Sequence, residues 1–555
     1  MAYMSFAIRS NVYPPPYDGM HYYNTAQTKV YLDNYKSDGF WHVWGGQIKN
    51  FKSVEHGSHF SRHIYGDFPP GQPAVTYGLF NLFKISNTEG NLIKLNQTIQ
   101  VISGFTLVIT VFLLCSLFLS PFLSLTYTTL ASSFLLFQPA FNYWLDPVFQ
   151  YQSLSTLYIS VILLLLALEM TYGKTKLPLN IPLSILLFLG LTTDAIFVFF
   201  TPCLFFMALI AHWRGEKHEV TKLVAIIIAA MLASVANIAY WYGIGFLDNV
   251  AGLLEHRLSL STEGKEELSL GSFIKMFVRQ YSAEMLVILA VGPLLLLLHQ
   301  TQRNETKEYK HVIRSSSLVM LLPTLLYLFV FPNAFSSHEL FHIHFIFPLL
   351  FINFILIPKL INLFSAANRA HFFHLLFSLF LAFFAYNSAQ SIFFQYPQLG
   401  VKNALAAKFI GEHYQPGDVF FSPNFRITST PPQLQSISKT LVYPIQSISE
   451  IDKFDNCMAT HFPERSYNKK IFFNGPHILM KDLDQDTKLP TSKGKYEVYV
   501  LEDSPKHKHT AIDNAEPRKP STPVFCGNID KKVFGTGTVW MVWHPSVIEV
   551  LREMD

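Results

Sequence analysis

Long apolar runs follow one another from about residue 72 to residue 391, and polar positions are frequent before and after them. Runs of about 17 to 25 apolar residues cross the hydrocarbon core of a bilayer as helices, because lipid offers no hydrogen-bond partner to an unpaired backbone amide. The pattern therefore predicts a mostly α, polytopic membrane bundle. The predicted crossings lie near 72–86, 101–120, 154–172, 178–193, 195–212, 223–247, 285–300, 316–333, 340–358 and 371–391.

Composition supports the same class of protein. Half of the 555 residues are hydrophobic, 14% are charged, and phenylalanine alone supplies 51 positions. These fractions lie far outside the range that is usual for soluble domains. We expect an integral, multi-pass membrane protein, and a bacterial inner membrane is the location that we predict.

Positively charged residues predict the orientation of the bundle. Lys and Arg are absent from 97–173 and then recur in clusters, which mark the cytoplasmic ends of helices. The clusters are Lys174 with Lys176, Arg214 with Lys217 and Lys222, Arg303 with Lys307, Lys310 and Arg314, and Lys359 with Arg369. The opposite, periplasmic or luminal face then receives the segments around Asp18, Asp146, Asp194 and His338-Glu339, the 248–284 loop and the chain after Phe394. Every candidate carboxylate before the C-terminal region therefore faces one side.

Two segments need a separate explanation. If 101–120 and 122–143 both crossed the bilayer, Asp146 would lie in the cytoplasm, so we expect 122–143, which Pro121 precedes, to be re-entrant. Residues 1–10 are too short to span a bilayer and lack the regions of a signal peptide. Either a first transmembrane helix precedes the chain, or the later helices carry the first loop across.

The chain divides into three predicted parts. These are an exported loop with an acidic motif over 1–70, the helical bundle over 71–391, and a small exported α/β domain over 392–555. In the last part, 401–414 has the pattern of an amphipathic helix. Alternating apolar positions predict a strand that begins at Val419 and further strands over 495–501 and 539–543.

Five short motifs occur in order along the first two parts. They are Pro15-Pro16-Tyr17-Asp18-Gly19-Met20-His21, Phe68-Pro69-Pro70, Trp144-Leu145-Asp146-Pro147, Thr192-Thr193-Asp194, and His338-Glu339 ahead of Phe345-Ile346-Phe347-Pro348. Over residues 11–391, this order resembles the GT-C class of glycosyltransferases that use polyprenyl-phosphate sugars. The resemblance is in particular to the protein O-mannosyltransferase and lipid A aminoarabinose transferase group.

The resemblance implies roles for individual residues. In these families an acidic residue of the first exported loop acts on the acceptor, and Asp18 matches that position. Asp146 matches an acidic residue that orients substrate or supports the site. Gly19 stands where mannosyltransferases commonly carry a second acid, which argues against a mannosyl donor. Asp194 stands where relatives often carry Lys, so a phosphate contact cannot be carried over to it.

The chemistry of sugar transfer makes its own demands. A carboxylate near the acceptor takes its proton as the new bond forms, and direct displacement inverts the anomeric centre. Asp18 is the candidate base, although Tyr-Asp-Gly is also a good turn sequence. The departing phosphate needs cationic donors. The candidates are Arg62, His63 and His338, with Arg257, Lys265, Lys275 and Arg279 of the mixed-charge 248–284 loop as alternatives, and His21, Tyr22 and Glu339 complete the predicted substrate-binding set.

No cofactor is expected. The histidines lack the Cys or Glu partners of a recognised zinc spacing, although a divalent metal stays open as an alternative. They fall into two groups, His56, His59 and His63, and His338, His342 and His344. The sequence contains no Walker loop and no dinucleotide fingerprint, which disfavours a soluble nucleotide-sugar donor.

The leading hypothesis is an inverting glycosyltransferase that moves a hexosyl or pentosyl group from a polyprenyl phosphate to a glycan, lipid or protein acceptor on the exported face. Its partners would be the lipid-linked sugar and membrane lipids, with no nucleic acid. A transporter or flippase for a lipid-linked or glycan substrate is the alternative, and a scaffold that displays the C-terminal domain is a third. Transporters tend to place ionisable groups deep in the bundle, whereas the carboxylates here are predicted at helix ends.

Overall fold

A computed structural model describes most of the bundle and short strands beyond it. The described residues are 23–48, 64–65, 69–142, 149–173, 179–216, 219–244, 247, 250, 270–301, 307–332, 335, 339–364 and 367–390, together with 419–422, 441–444, 470–474 and 497–501.

Helices account for most of the described chain. They are α1 (Tyr23–Asp38), α2 (Gly71–Leu82), α3 (Glu89–Ser116), α4 (Pro121–Phe137), α5 (Tyr151–Tyr172), α6 (Asn180–Leu191), α7 (Ile196–Trp213), α8 (Glu219–Gly243), α9 (Leu270–Gln280), α10 (Ala283–Thr301), α11 (Lys307–Met320), α12 (Leu322–Val330), α13 (Ile346–Phe351), α14 (Ile357–Phe364) and α15 (Ala367–Gln390). A helical turn at Pro139–Asn142 follows α4, a 3-10 segment at Glu339–Phe345 precedes α13, and a π-helical turn at Ile352–Leu356 joins α13 to α14.

Eight helical segments in the described part are long and apolar enough to cross a bilayer, and α4 and α6 are two shorter apolar helices. The eight are α3, α5, α7, α8, α10, Tyr309–Val330, Phe341–Phe364 and Arg369–Gln390. This confirms the predicted fold class, a polytopic helical membrane bundle.

The predicted crossing at 72–86 is wrong. Helix α2 is 12 residues long, roughly 18 Å, and the chain returns to α1 directly after it. Its first turn and the segment after it both contact α1: Gln72 donates a hydrogen bond to Thr28 Oγ1 at 3.4 Å, and Asn87 donates to the Lys29 carbonyl at 3.0 Å. Helix α2 therefore lies beside α1 at one end of the bundle.

The predicted re-entrant segment at 122–143 is also wrong. Helix α4 runs parallel to α15 through the bundle: Tyr127 hydrogen-bonds His374 at 2.8 Å near the start of both helices, and Phe134 stacks on Phe384 near their ends. The Leu123 N–H donates to Ser120 Oγ, and Pro121 occupies the first helical turn. Proline is favoured there because its missing N–H is not needed. Pro121 therefore starts a helix that packs along α15 from near the start of both helices to near their ends.

The segment Phe341–Phe364 forms the buried centre of the bundle. Its π-helical turn lies directly before Pro358, which has no N–H to donate to the Phe354 carbonyl. Cys115 on α3 donates its S–H to that carbonyl instead, at 3.0 Å. A packing cysteine therefore compensates a proline in the neighbouring pass.

The described strands form two small sheets. Strands β1 (Gln47–Ile48) and β2 (Ile64–Tyr65) pair antiparallel. Beyond the bundle, β3 (Val419–Ser422), β4 (Leu441–Pro444), β5 (Lys470–Asn474) and β6 (Glu497–Leu501) form a sheet of order β4-β3-β5-β6. Strand β3 is parallel to β4 and β5, and β6 is antiparallel to β5. The strands predicted at Val419 and within 495–501 are confirmed, whereas 401–414 and 539–543 lie outside the described residues.

Candidate functional site

Most of the residues predicted for the site lie outside the described part of the chain. These are Asp18, His21, Tyr22, Arg62, His63, Asp146 and His338. Glu339 begins the 3-10 segment before α13, but its side chain is not described. The described helical elements that follow these residues in sequence are α1, α2, α5 and the 3-10 segment before α13.

Helix α1 contacts the chain that leads into α5. The Phe149 N–H donates to Thr25 Oγ1 at 2.9 Å, and Thr28 Oγ1 donates to the Phe149 carbonyl at 3.5 Å. All three residues are buried. Thr25 lies seven positions after Asp18, and Phe149 lies three positions after Asp146. The two segments that follow the predicted acids are thus in contact.

The turn between α6 and α7, at 192–194, contacts the start of α2. The Gly71 N–H donates to the Thr192 carbonyl at 2.8 Å. A Cβ atom at position 71 would lie 2.2 Å from the Thr192 oxygen and 2.6 Å from Thr193 Oγ1. Only glycine allows this approach, which gives a structural reason for the glycine that follows Pro69 and Pro70.

Asp194 lies in this turn, as predicted, and is buried among polar partners. Its Oδ2 accepts a 2.7 Å hydrogen bond from Ser155 and lies 3.6 Å from His344 Nε2. Its Oδ1 accepts from the Ile196 N–H at 3.2 Å. A carboxylate at the start of a helix satisfies free N–H groups and is stabilised by the helix dipole. Asp194 therefore accepts a hydrogen bond from the first N–H of α7 and joins that helix to α5 and to the segment that carries His344.

We call this region the α1 end of the bundle. It contains α1, the start of α5, the 192–194 turn and His344. The charge pattern predicts that it faces the exported side. The opposite end carries Arg214 beside His311 at 3.2 Å and is the predicted cytoplasmic side.

The first turns of α5 carry buried polar groups at the α1 end. Both amide atoms of Gln152, together with Ser153 Oγ and Thr156 Oγ1, have no hydrogen-bond partner among the described residues. A buried polar group without a partner costs roughly 1 to 3 kcal/mol. The polar run 150–156 at the head of an apolar helix was the sequence signal for this region, and sequence reasoning did not use it.

A groove of about 200 Å³ lies between the α9–α10 turn and the last turns of α15. One wall is aromatic, with Phe380, Phe383 and Phe384, and Phe383 is 63% exposed at its edge. The other wall is formed by the end of α9 and the turn into α10 and carries Arg279 next to Val278. Gln280, Ser282, Glu284, Asn387 and Ser388 also line the groove. An apolar wall that faces the surroundings of the bundle beside a guanidinium suits a ligand with a lipid tail and an anionic head.

Tyr281 connects this groove to the α1 end. Its hydroxyl donates to the His342 carbonyl at 2.8 Å. Burial raises the pKa of Tyr281 well above its ordinary value, so the hydroxyl stays a donor. Gln138 adds a second link, because its amide donates to the Gln280 carbonyl. The groove and the Asp194 turn therefore belong to the same end of the bundle.

Two of the four alternative cations of the 248–284 loop can now be located. Lys275 and Arg279 both lie on α9, four residues apart, and only Arg279 lines the groove. Arg257 and Lys265 lie outside the described residues. Sequence reasoning ranked Arg62, His63 and His338 above Arg279, because nothing in the sequence shows that α9 packs near the end of α15.

The described histidines have separate partners. His342 Nε2 hydrogen-bonds the Phe335 carbonyl at 2.7 Å, whereas His344 faces Asp194. In the part of the chain that the structure describes, no group of three His, Cys, Asp or Glu side chains could hold a metal ion. His56, His59, His63 and His338 lie outside it.

No protein-family model and no curated protein matches the chain. Among solved structures, the chain is similar to the oligosaccharyltransferase of Archaeoglobus fulgidus. The form tethered to an acceptor peptide with the NVT sequon aligns with a TM-score of 0.46 and 11% identity, over 80% of this chain and 62% of that one. The apo form and the complex of this AglB protein with an inhibitory peptide and a dolichol-phosphate each give a TM-score of 0.49 and 11% identity, over 85% of this chain and 68% of that one.

These neighbours are forms of one archaeal oligosaccharyltransferase. The chain spans about two thirds of their length.

Proposed function

We propose that the protein is an inverting glycosyltransferase that moves a sugar from a polyprenyl phosphate to an acceptor at the α1 end, on the exported face of the membrane. The observation that supports this most is the groove that combines the Phe380, Phe383 and Phe384 wall with Arg279. The acceptor is a glycan, a lipid or a protein.

The two walls of the groove match the two parts of a lipid-linked donor. Polyprenyl chains are apolar and branched, and aromatic side chains offer large apolar contact surfaces. Phe383 at the outer edge would meet the lipid tail as it leaves the surrounding bilayer. Asn387 and Ser388, at the end of α15, add neutral donors next to the aromatic wall.

Arg279 is the proposed partner of the donor phosphate. A guanidinium presents planar, bidentate donors that fit phosphate oxygens, and charge-assisted hydrogen bonds of this kind are about twice as strong as neutral ones. The carboxylate of Glu284 lines the same groove. Its negative charge would favour a donor with one phosphate over a more highly charged diphosphate.

The proposed reaction is a single displacement. The acceptor oxygen forms a bond to the anomeric carbon, the bond from that carbon to the phosphate oxygen breaks, and the phosphate leaves with the bonding electron pair. Asp18 takes the acceptor proton, and cations near the phosphate stabilise its growing negative charge. Asp146 orients the substrate. Arg62, His63 and His338 stay candidates for further phosphate contacts, with His21, Tyr22 and Glu339 toward the sugar or acceptor.

The contact between Thr25 and Phe149 supports the placement of Asp18 and Asp146 near one another. Extended chain covers at most about 3.3 to 3.6 Å per residue. Seven and three residues can therefore carry the two acids only a limited distance from this contact. Both acids would then lie at the α1 end, together with the groove.

The positions of two groups of buried ionisable side chains favour an enzyme over a transporter. Lys222 lies near the start of α8 and contacts Glu169 at 2.8 Å and Glu219 at 3.1 Å, at the end opposite α1. Asp194 and His344 lie at the α1 end. Transporters tend to place such groups near the bilayer midplane. The Lys222 ion pairs and the contact between Asp194 and His344 lie at helix ends instead.

The test is a comparison of two variants of α9 in purified protein reconstituted into nanodiscs. Arg279→Ala removes the proposed phosphate partner, and Lys275→Ala removes the same charge one turn earlier, outside the groove lining. We expect Arg279→Ala to raise the KM for the polyprenyl-phosphate sugar roughly 10- to 100-fold, in line with about 1.5 to 3 kcal/mol for a hydrogen bond to a charged group. Lys275→Ala should stay within about twofold of wild type.

The expected loss is mainly in donor affinity, because a phosphate partner acts in the ground state as well as in the transition state. Arg279→Lys should recover part of it, since lysine keeps the charge but loses the bidentate geometry. Equal donor KM values for Arg279→Ala and Lys275→Ala would contradict a phosphate site in this groove.

A further inference from the structure

The loop after α1, at 39–46, carries two tryptophans, and the side chain of the first is almost fully exposed. Trp41 is 81% exposed. The loop itself is well fixed: the Gly45 N–H donates to the Phe40 carbonyl at 2.9 Å, and the Tyr35 hydroxyl donates to the Gly45 carbonyl at 2.6 Å. These hydrogen bonds hold the backbone on both sides of Trp41 in place.

The backbone of this loop is built for a tight reversal. Gly39 and Gly45 have φ values of +84° and +65°, and Trp44 has a φ of +53°. A non-glycine residue in the left-handed region is uncommon and is kept only where the surroundings fix it. Phe40 supplies part of that support, because its ring stacks on Tyr77 at 5.6 Å.

Trp44 fixes the position of the loop along the axis of α8. Its ring lies against Gly243, the last residue of α8, where a Cβ atom would come within 2.4 Å of the ring. Trp41 lies one turn away, since its carbonyl accepts a hydrogen bond from the Trp44 N–H at 3.1 Å. The loop is therefore level with the end of a membrane pass.

Helix α8 shows where the lipid begins. Its outer face carries exposed apolar side chains at helical spacing, among them Val224, Ile228, Met231, Val235 and Ile238. The stripe ends at Tyr242, which is 71% exposed. Tyrosine and tryptophan are enriched where hydrocarbon meets headgroups, because their rings are amphipathic. Tyr242 therefore marks the boundary, and Trp41 lies on the loop packed at the next residue.

We propose that Trp41 inserts into the headgroup boundary of the bilayer and anchors the loop after α1 to the lipid surface. The partner is lipid, because the loop packs on Gly243, directly after the Tyr242 end of the exposed apolar stripe of α8. The anchor would hold α1, and the chain that precedes it, close to the membrane surface at the α1 end. This inference needs only the membrane location of the bundle and is independent of the reaction proposed above.

The test uses the fluorescence of the full-length protein in nanodiscs. The difference in emission between wild type and Trp41→Phe isolates the Trp41 signal. Nanodiscs are made with phosphatidylcholine that is brominated either close to the headgroup or close to the ends of its acyl chains, and acrylamide serves as a quencher from water. Trp41→Tyr is a second variant that keeps an interfacial side chain and removes the same emission.

We expect the Trp41 emission to be quenched most strongly by lipid brominated close to the headgroup, more weakly by the deeper label, and little by acrylamide. Both variants should give the same difference signal. Quenching by acrylamide alone would place the ring in water and overturn the proposal. A signal that neither lipid nor acrylamide quenches would show that protein covers the ring, and this would also overturn it.

Discussion

At the scale of single residues, the close approach of Gly71 to the 192–194 turn gives the sharpest prediction. Gly71→Ala puts a methyl group 2.2 Å from the Thr192 carbonyl oxygen, so the backbone must move. We expect a loss of about 1 to 3 kcal/mol and a lower midpoint of thermal unfolding, as for overpacked positions. The measurement is a thermal melt of the purified protein in detergent.

Gly78→Ala is the matched control, because it lies in the same helix and a Cβ atom there meets nothing within 4 Å. Alanine is favoured over glycine inside a helix by roughly 0.5 to 1 kcal/mol, so this variant should be unchanged or slightly more stable. If both variants melt alike, Gly71 does not carry the contact between α2 and the turn.

The sequence allowed a turn at Thr192-Thr193-Asp194 to be predicted, but it did not reveal what Asp194 contacts. Ser155 and His344 lie 39 and 150 positions away in the chain. Their approach depends on how α5 and the 339–364 segment pack, which no local pattern encodes. The same limit explains why Arg279 was only an alternative candidate.

At the scale of helices, apolar content predicts the number of passes well, but it misassigns two segments, 72–86 and 122–143. The run 72–86 is apolar enough to suggest a pass, but α2 ends at Leu82 and Lys84 adopts a φ of +54°. The run 122–143 was predicted to be re-entrant because a crossing there, added to those at 72–86 and 101–120, would have placed Asp146 in the cytoplasm. Without a pass at 72–86, helix α4 returns the chain to the α1 end and the conflict disappears.

The structure and the crossings predicted from sequence place two exposed serines on opposite sides of the membrane. Ser86 lies between α2 and α3, and Ser120 lies between α3 and α4. The structure places Ser86 at the α1 end and Ser120 at the other, whereas crossings at 72–86 and 101–120 would exchange them. We expect Ser86→Cys to react with a membrane-impermeant maleimide only from the exported side of sealed vesicles, and Ser120→Cys only from the cytoplasmic side.

The chain has four cysteines. So that only the introduced cysteine reacts, Cys457 and Cys526 are replaced by serine in both variants, and the buried Cys115 and Cys203 stay in place. The serine background without Ser86→Cys or Ser120→Cys gives the baseline. Labelling of Ser120→Cys from the exported side would restore the re-entrant interpretation of 122–143.

At the scale of the whole molecule, the two corrections together leave the start of α5 on the side of the membrane that the sequence predicted. Removing one pass before α3 and adding one at α4 leaves the number of crossings before α5 even. The chain at Phe149 therefore stays at the same end as Thr25, as their hydrogen bond requires. The prediction that Asp18 and Asp146 share one face keeps its basis, although both acids lie outside the described residues.

The fold class could be predicted from composition and apolar runs because a bilayer permits few spanning structures. The site could be predicted only as a set of residue types on one face. The groove beside α15 needed the tertiary structure, since its aromatic wall and its arginine are about 100 positions apart.

The central claim is that a carboxylate at the α1 end activates an acceptor against a lipid-linked sugar. The most direct measurement is transfer of labelled sugar from a polyprenyl phosphate by purified protein in nanodiscs, with donor binding measured in parallel for wild type and Asp18→Asn. We expect Asp18→Asn to bind the donor as wild type does and to turn over roughly 100- to 10,000-fold more slowly, because the amide keeps the shape and loses the proton acceptor. Near-normal turnover by Asp18→Asn would contradict the account.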